Sequence, residues 1–229
     1  MNRALRARVV AEFLGTAFLL AAVVGSGIMA ERLAGGNVAL ALLANSVATG
    51  AALVALILAF QEISGAHFNP AVTLADAMQG GIPWREAPVY VTAQVTGAFA
   101  GVAAAHLMFG LPVFFVSHHA RSGSALLWSE FVATCGLLVV IWGCARARPS
   151  AVSFAVGSYI AAAYWFTAST SFANPAVTLA RAASDTFAGI RPVDAPAFIL
   201  AQLGAAVAAA VGLRWMASLA ATQTGKQNL

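Results

Sequence analysis

The heptapeptide Asn-Pro-Ala-Val-Thr-Leu-Ala occurs twice, from Asn69 to Ala75 and from Asn174 to Ala180, and each copy interrupts a strongly apolar stretch. A second copy so far along the chain implies two homologous halves, about 1–110 and 120–229. Asn followed by Pro reads as a helix start, because the Asn side chain caps free N–H groups and Pro sits at ease in the first helical position. A helix that starts where a membrane span ought to continue is a broken, half-spanning helix.

Composition supplies the solvent in which those half-helices sit. The chain is 61% hydrophobic and 9% charged, with a mean hydropathy of +0.84, whereas a soluble domain carries about 25% charge. The 229 residues accommodate six spans of about 20 residues, two half-helices and loops, with no room for a separate soluble domain. The apolar runs place spans at about 9–30, 38–60, 88–109, 125–145, 151–168 and 196–217, with half-helices starting at Asn69 and Asn174. Gly35-Gly36-Asn37, Gly80 to Pro83 and Arg146 to Ser150 read as turns, and Gly110 to Gly123 is the longest connector. The expected fold is all-α: one transmembrane domain over 1–229, with six transmembrane helices and two re-entrant half-helices in an inverted repeat. Three spans per half turn the second half upside down, so the half-helix N-termini meet near the midplane.

The duplication extends beyond the heptapeptide. Ala11-Glu12-Phe13 matches Ser129-Glu130-Phe131, and Ala93-Gln94-Val95 resembles Ala201-Gln202-Leu203. The net charge of +4 comes from single bases at loops and ends, with no aromatic-interleaved run, so it does not indicate nucleic acid. Arg3, Arg6, Arg8, Arg85, Arg146, Arg148, Arg214 and Lys226 fall on one side, and Arg32, Arg121, Arg181 and Arg191 on the other. That bias puts both termini in the cytoplasm. The apolar stretch after Arg8 carries Glu12 and outruns a signal-peptide core, so it is read as the first span. Cys135 and Cys144 share one span at different levels and read as reduced thiols rather than a disulfide or metal pair. His67 reads as a hydrogen-bonded wall residue, because no second ligand stands at metal-binding spacing, and neither a metal nor a cofactor is expected.

Two facing helix N-termini each carry free N–H groups and about half a positive charge, so a cation or hopping proton is repelled where they meet. Asn69 and Asn174 sit at the cap positions. One copy would be equally served by plain capping, while two identical copies in matching places favour amide donors facing a lumen.

On the residues Ser64-Gly65-Ala66-His67-Phe68-Asn69-Pro70-Ala71-Val72-Thr73, the second Asn174-Pro175-Ala176, Glu12 with Gly15-Thr16, and Glu130, the chain resembles the aquaporin, or major intrinsic protein, family over nearly its whole length. The resemblance implies a homotetramer with one pore per subunit in the lipid bilayer, here a bacterial inner membrane, passing water or small uncharged solutes passively. It also implies acceptor ladders of backbone carbonyls before each Asn, at Gly65, Ala66 and His67 and at Ser171, Phe172 and Ala173. Backbone free of helix bonds at membrane depth must line water or be held by protein. Glu12 and Glu130, the acids inside the spans, are read as structural carboxylates accepting loop N–H groups, with a proton relay as the rival role.

Family members commonly carry Arg at the third residue after the second motif's Asn, and that position here is Val177. Gap-free family offsets give the remaining constriction residues as Thr49, Ala162 and Ser171. All four are small, so a wide opening is expected, with Arg181 facing elsewhere. Such an opening suits glycerol, urea or arsenous acid, and family members tied to bacterial arsenic resistance include some that lack the Arg. A water-selective pore is the nearest alternative. A coupled secondary transporter would need a titratable group at the midplane beyond the two Glu. An adhesion role would want longer external loops, and no nucleophile–base pair or metal-ligand constellation suggests an enzyme.

Overall fold

The computed structural model describes residues 3–226, with side chains through residue 219; the Lys226 side chain, counted above for orientation, lies outside them. Eight α-helices account for most of the described residues: α1 (Arg3–Leu33), α2 (Val38–Ser64), α3 (Pro70–Gln79), α4 (Ala87–Met108), α5 (Ser124–Ala147), α6 (Val152–Phe166), α7 (Pro175–Arg181) and α8 (Ala195–Lys226). A short 3-10 turn, Pro149–Ala151, leads into α6. Helices α1, α2, α4, α5 and α8 are long and apolar enough to cross a membrane. Helix α6 has 15 residues, about 22 Å of rise, and ends two residues short of the expected 168. Helix α1 begins six residues before its expected start, where Arg8 is held by Glu86 (Nη1···Oε2 2.8 Å) and Tyr90 (Nε···Oη 2.7 Å).

The caps follow the sequence signals. Asn37 accepts the Leu40 N–H at the start of α2, and Gly65, at φ 86°, closes its end. Pro70 and Pro175 occupy the first turns of α3 and α7 behind Asn69 and Asn174. Large apolar side chains such as Val10, Phe18, Leu200 and Val211 face outward, and the exposed Trp84, Trp128 and Trp165 stand near helix ends, where interfacial aromatics belong. Helices α1 and α4 cross so closely that a Cβ on Gly97 would lie 2.3 Å from the Phe13 carbonyl oxygen, and one on Gly101 2.1 Å from that of Ala17. Gly97 and Gly101 form a small-xxx-small pair that lets backbones touch. Gly50 and Gly157 bring α2 and α6 together in the same way.

Candidate functional site

The half-helices α3 and α7 meet end to end through their capping residues. Asn69 Oδ1 accepts the Ala71 N–H at 2.8 Å, and its Nδ2 donates to the Ala173 carbonyl at 2.7 Å. Asn174 does the reciprocal: Oδ1 accepts from Ala176 and Val177, and Nδ2 donates to the Phe68 carbonyl at 2.8 Å. Each amide therefore caps its own helix and ties it to the loop before the other. Each Nδ2 retains a second hydrogen, and both Asn residues border the lumen described below.

Behind each loop stands a carboxylate. Glu12 accepts the N–H groups of His67 (3.0 Å) and Phe68 (2.7 Å), the Ser64 hydroxyl and the Gln94 amide. Glu130 accepts the N–H groups of Phe172 (2.9 Å) and Ala173 (2.8 Å) and the Gln202 amide. Gln94 and Gln202 also donate to Thr73 and Thr178, whose hydroxyls donate to the carbonyls of Asn69 and Asn174. Each Gln thus couples the carboxylate behind the loop to the first turn of the half-helix. The paired Ala93-Gln94 and Ala201-Gln202 were the sequence signal for this role, but the spacing alone did not assign it.

The loops take an unusual backbone. Ala66, Phe68, Ser171 and Ala173 all have φ near +50°, alternating with residues of negative φ. Alternating handedness lines successive N–H groups into a concavity that fits an anion, here the Glu side chain, and turns carbonyls the other way. The carbonyls of Gly65, Ala66, His67, Ser171 and Phe172 accept no hydrogen bond among the described residues, while that of Ala173 is taken by Asn69.

A continuous cavity of about 650 Å³ runs past these carbonyls. Arg8, Asp76, Gln79 and Arg146 stand at the end served by α3, and Thr49, Tyr164, Val177 and Arg181 at the end served by α7. His67 borders it with Nδ1 3.1 Å from Thr73 Oγ1 and Nε2 3.6 Å from Asp76.

Comparison with known proteins places this geometry. Residues 2–152 match the profile of the Major intrinsic protein family. The chain belongs to the major intrinsic protein family. Aquaglyceroporin AqpS of Rhizobium meliloti is 55% identical over 209 residues, covering 91% of this chain and 89% of that protein. Aquaporin NIP1-3 of rice is 38% identical over 75% of this chain and 62% of its own length. The X-ray structure of the aquaglyceroporin from Plasmodium falciparum shares the fold, with a TM-score of 0.70 at 21% identity over 90% of this chain and 94% of that one. This is a multi-pass membrane channel protein, not an enzyme.

Against that family frame, two positions at the α7 end differ from the sequence expectation. Ala162 is exposed and does not border the cavity. The lumen face of α6 is the ladder Val152, Val156, Ile160 and Tyr164, because residues four apart share a helix face. Tyr164 Oη lies 3.2 Å from Thr49 Oγ1, so a ring and a hydroxyl pair occupy the level expected to be open. Arg181 does not face elsewhere: it borders the cavity and is 2% exposed. Four residues add about 40° of rotation and about 6 Å of rise, which leaves Arg181 on the Val177 face, one turn farther out. Its guanidinium lies 3.3 Å from the Phe172 ring centroid, and its Nε donates to the Ala188 carbonyl. The opening is therefore narrower and more positive than four small residues would make it.

The connector after α4 is more than a solvated loop. Ser117 is buried, and Phe115 and Ser117 donate their N–H groups to Ala183 and Ala182. Arg121 reaches the carbonyls of Gly189, Ser169 and Phe187, and its backbone N–H donates to Asp194. The hydrogen bond from Arg191 holds the Asp194 carboxyl below its usual range. Burial, reinforced by Arg121 and Arg181, holds the His119 imidazole below its ordinary value and favours its neutral form.

Proposed function

We propose that the cavity conducts small uncharged polar solutes passively in both directions, with glycerol, urea, arsenous acid and water as its range. The observation that carries the reading is one lumen walled on successive levels by unpaired loop carbonyls and by the two meeting Asn caps. Carbonyls replace the water that a solute hydroxyl gives up, and the Asn amides offer donors where the two half-helices meet. Two helix N-termini contribute about half a positive charge each at that level, which opposes cations. Glycerol leads the range by analogy with the Rhizobium relative, whose name describes an aquaglyceroporin.

The Arg bias puts the α3 mouth in the cytoplasm and the α7 mouth outside a bacterial inner membrane, with two inverted halves meeting between them. Outward-facing apolar side chains on α1, α2, α5 and α6 suit packing against lipid and, in a homotetramer, against neighbouring subunits. A coupled transporter finds little support, since both buried Glu oxygens are committed to loop donors.

The test is stopped-flow swelling of liposomes bearing the purified protein, with water, glycerol, urea and arsenous acid compared against protein-free vesicles. Glycerol should enter at least about tenfold faster than the bare bilayer allows. Fast water with all three solutes at background would establish the water-selective alternative, for which Tyr164 beside Thr49 provides a physical route. Val177→Arg adds a second guanidinium below Arg181 and should depress glycerol, urea and arsenous acid flux more than water flux. Equal glycerol flux in parent and variant would remove Val177 from the constriction.

A further inference from the structure

The two heptapeptide copies are followed by residues of opposite charge, Asp76 after the first and Arg181 after the second, and both border the lumen. Asp76 sits at an open mouth with its side chain 36% accessible, whereas Arg181 is enclosed. Among the described residues Arg181 has no salt-bridge partner, and its one hydrogen bond uses Nε. Stacking on Phe172 fixes the guanidinium plane and leaves both Nη groups without a protein acceptor. Glu130, the carboxylate within electrostatic reach, is engaged behind the loop by the Phe172 and Ala173 N–H groups. A buried charge is ordinarily paired, so an enclosed guanidinium fork that borders the lumen with neither Nη group bonded describes a site still open to an acceptor.

We infer that Arg181 forms a recognition site for a small oxyanion at the α7 end of the lumen. The two Nη groups donate side by side to two oxygens of one XO2 group, the geometry that a guanidinium matches and an ammonium does not. An occupied site obstructs the lumen, so the anion competes with neutral solute; this part of the inference rests on the channel reading above.

Nitrate is the probe, being planar, singly charged at all ordinary pH and small enough for the cavity. Chloride at equal ionic strength controls for charge without a fork. In detergent, nitrate should raise the thermal midpoint of the parent above its value in chloride, since a ligand that binds only the folded state stabilises it. Arg181→Gln should abolish the difference, and Arg181→Lys, which keeps the charge without the fork, should retain only a minor part. In liposomes, tens of millimolar nitrate should reduce parental glycerol flux about twofold, as half occupancy at a dissociation constant on the order of tens of millimolar gives, and leave Arg181→Gln unaffected. The midpoint shift does not depend on conduction, so a parent that binds nitrate but passes no glycerol would refute the channel reading and leave this site standing. If Arg181→Gln does not fold, Arg181→Lys decides, since it keeps a cation at the position and removes only the fork. Equal nitrate and chloride midpoints in the parent, or a nitrate shift undiminished in Arg181→Gln or in Arg181→Lys, would overturn the inference.

Discussion

Glu130→Ala will cost the protein most of its stability. The substitution leaves the Phe172 and Ala173 N–H groups, at 2.9 and 2.8 Å from the carboxylate oxygens, with no acceptor in a site that water cannot reach freely. Each orphaned donor costs about 1–3 kcal/mol. The same carboxylate holds Ser171 and Ala173 in the left-handed region, a conformation that costs non-glycine residues about 1–2 kcal/mol each and that the loop will abandon once released. The two orphaned donors together cost about 2–6 kcal/mol, comparable with the entire stability of an ordinary domain. A fall in the detergent thermal midpoint of about 10–20 °C follows, with most of the protein lost to aggregates on size exclusion. Glu12→Ala should behave alike, because Glu12 holds His67, Phe68 and Ser64. A proton relay would produce the opposite pattern: normal assembly with loss of uptake driven by a pH gradient.

Gly101→Ala should lower the midpoint by about 5–10 °C, while Gly204→Ala should raise it slightly. The two substitutions add the same methyl group to a helix, where Ala is favoured over Gly by about 0.5–1 kcal/mol. At Gly101 the methyl carbon would lie 2.1 Å from the Ala17 carbonyl oxygen and 2.8 Å from Leu20 Cβ, and the first of these is backbone that can move only if α1 and α4 separate. At Gly204 nothing lies within 4 Å. Overpacking against a rigid partner costs about 1–3 kcal/mol or more, which outweighs the propensity gain. Thermal melts of the two purified variants check the contrast, and equal midpoints would mean that α1 and α4 do not meet as described.

The repeated heptapeptide was enough to place both half-helices, since Asn-Pro at a helix start is a local signal that needs no partner. Glu12 and Glu130 were legible for a related reason: an acid inside an apolar span must be satisfied, and the loops nearby need an acceptor. What the sequence did not yield is tertiary. The Nδ2 groups of Asn69 and Asn174 reach across to carbonyls of the opposite loop, a contact between residues far apart in the chain. Ala162 was placed on the lumen by counting offsets without gaps, whereas the face of α6 follows its four-residue ladder to Tyr164. Arg181 was placed away from the lumen on its distance from Val177. Its angular position, which returns to nearly the same face after four residues, was the quantity that mattered. Gly97 and Gly101 stood four apart in plain view, but only the crossing of α1 gave that spacing meaning.

The central claim is that solute passes beside Val177, between the two Asn caps and the Arg181 level. In a background with the free Cys135 and Cys144 changed to Ala, Val177→Cys places one thiol on the lumen wall. Glycerol flux into liposomes is then measured before and after reaction with a sulfonatoethyl methanethiosulfonate, with complete modification confirmed by mass. Modification should reduce flux at least about tenfold, and reduction of the mixed disulfide should restore it. Fully modified protein that conducts glycerol at its original rate would place the solute path elsewhere and contradict the account.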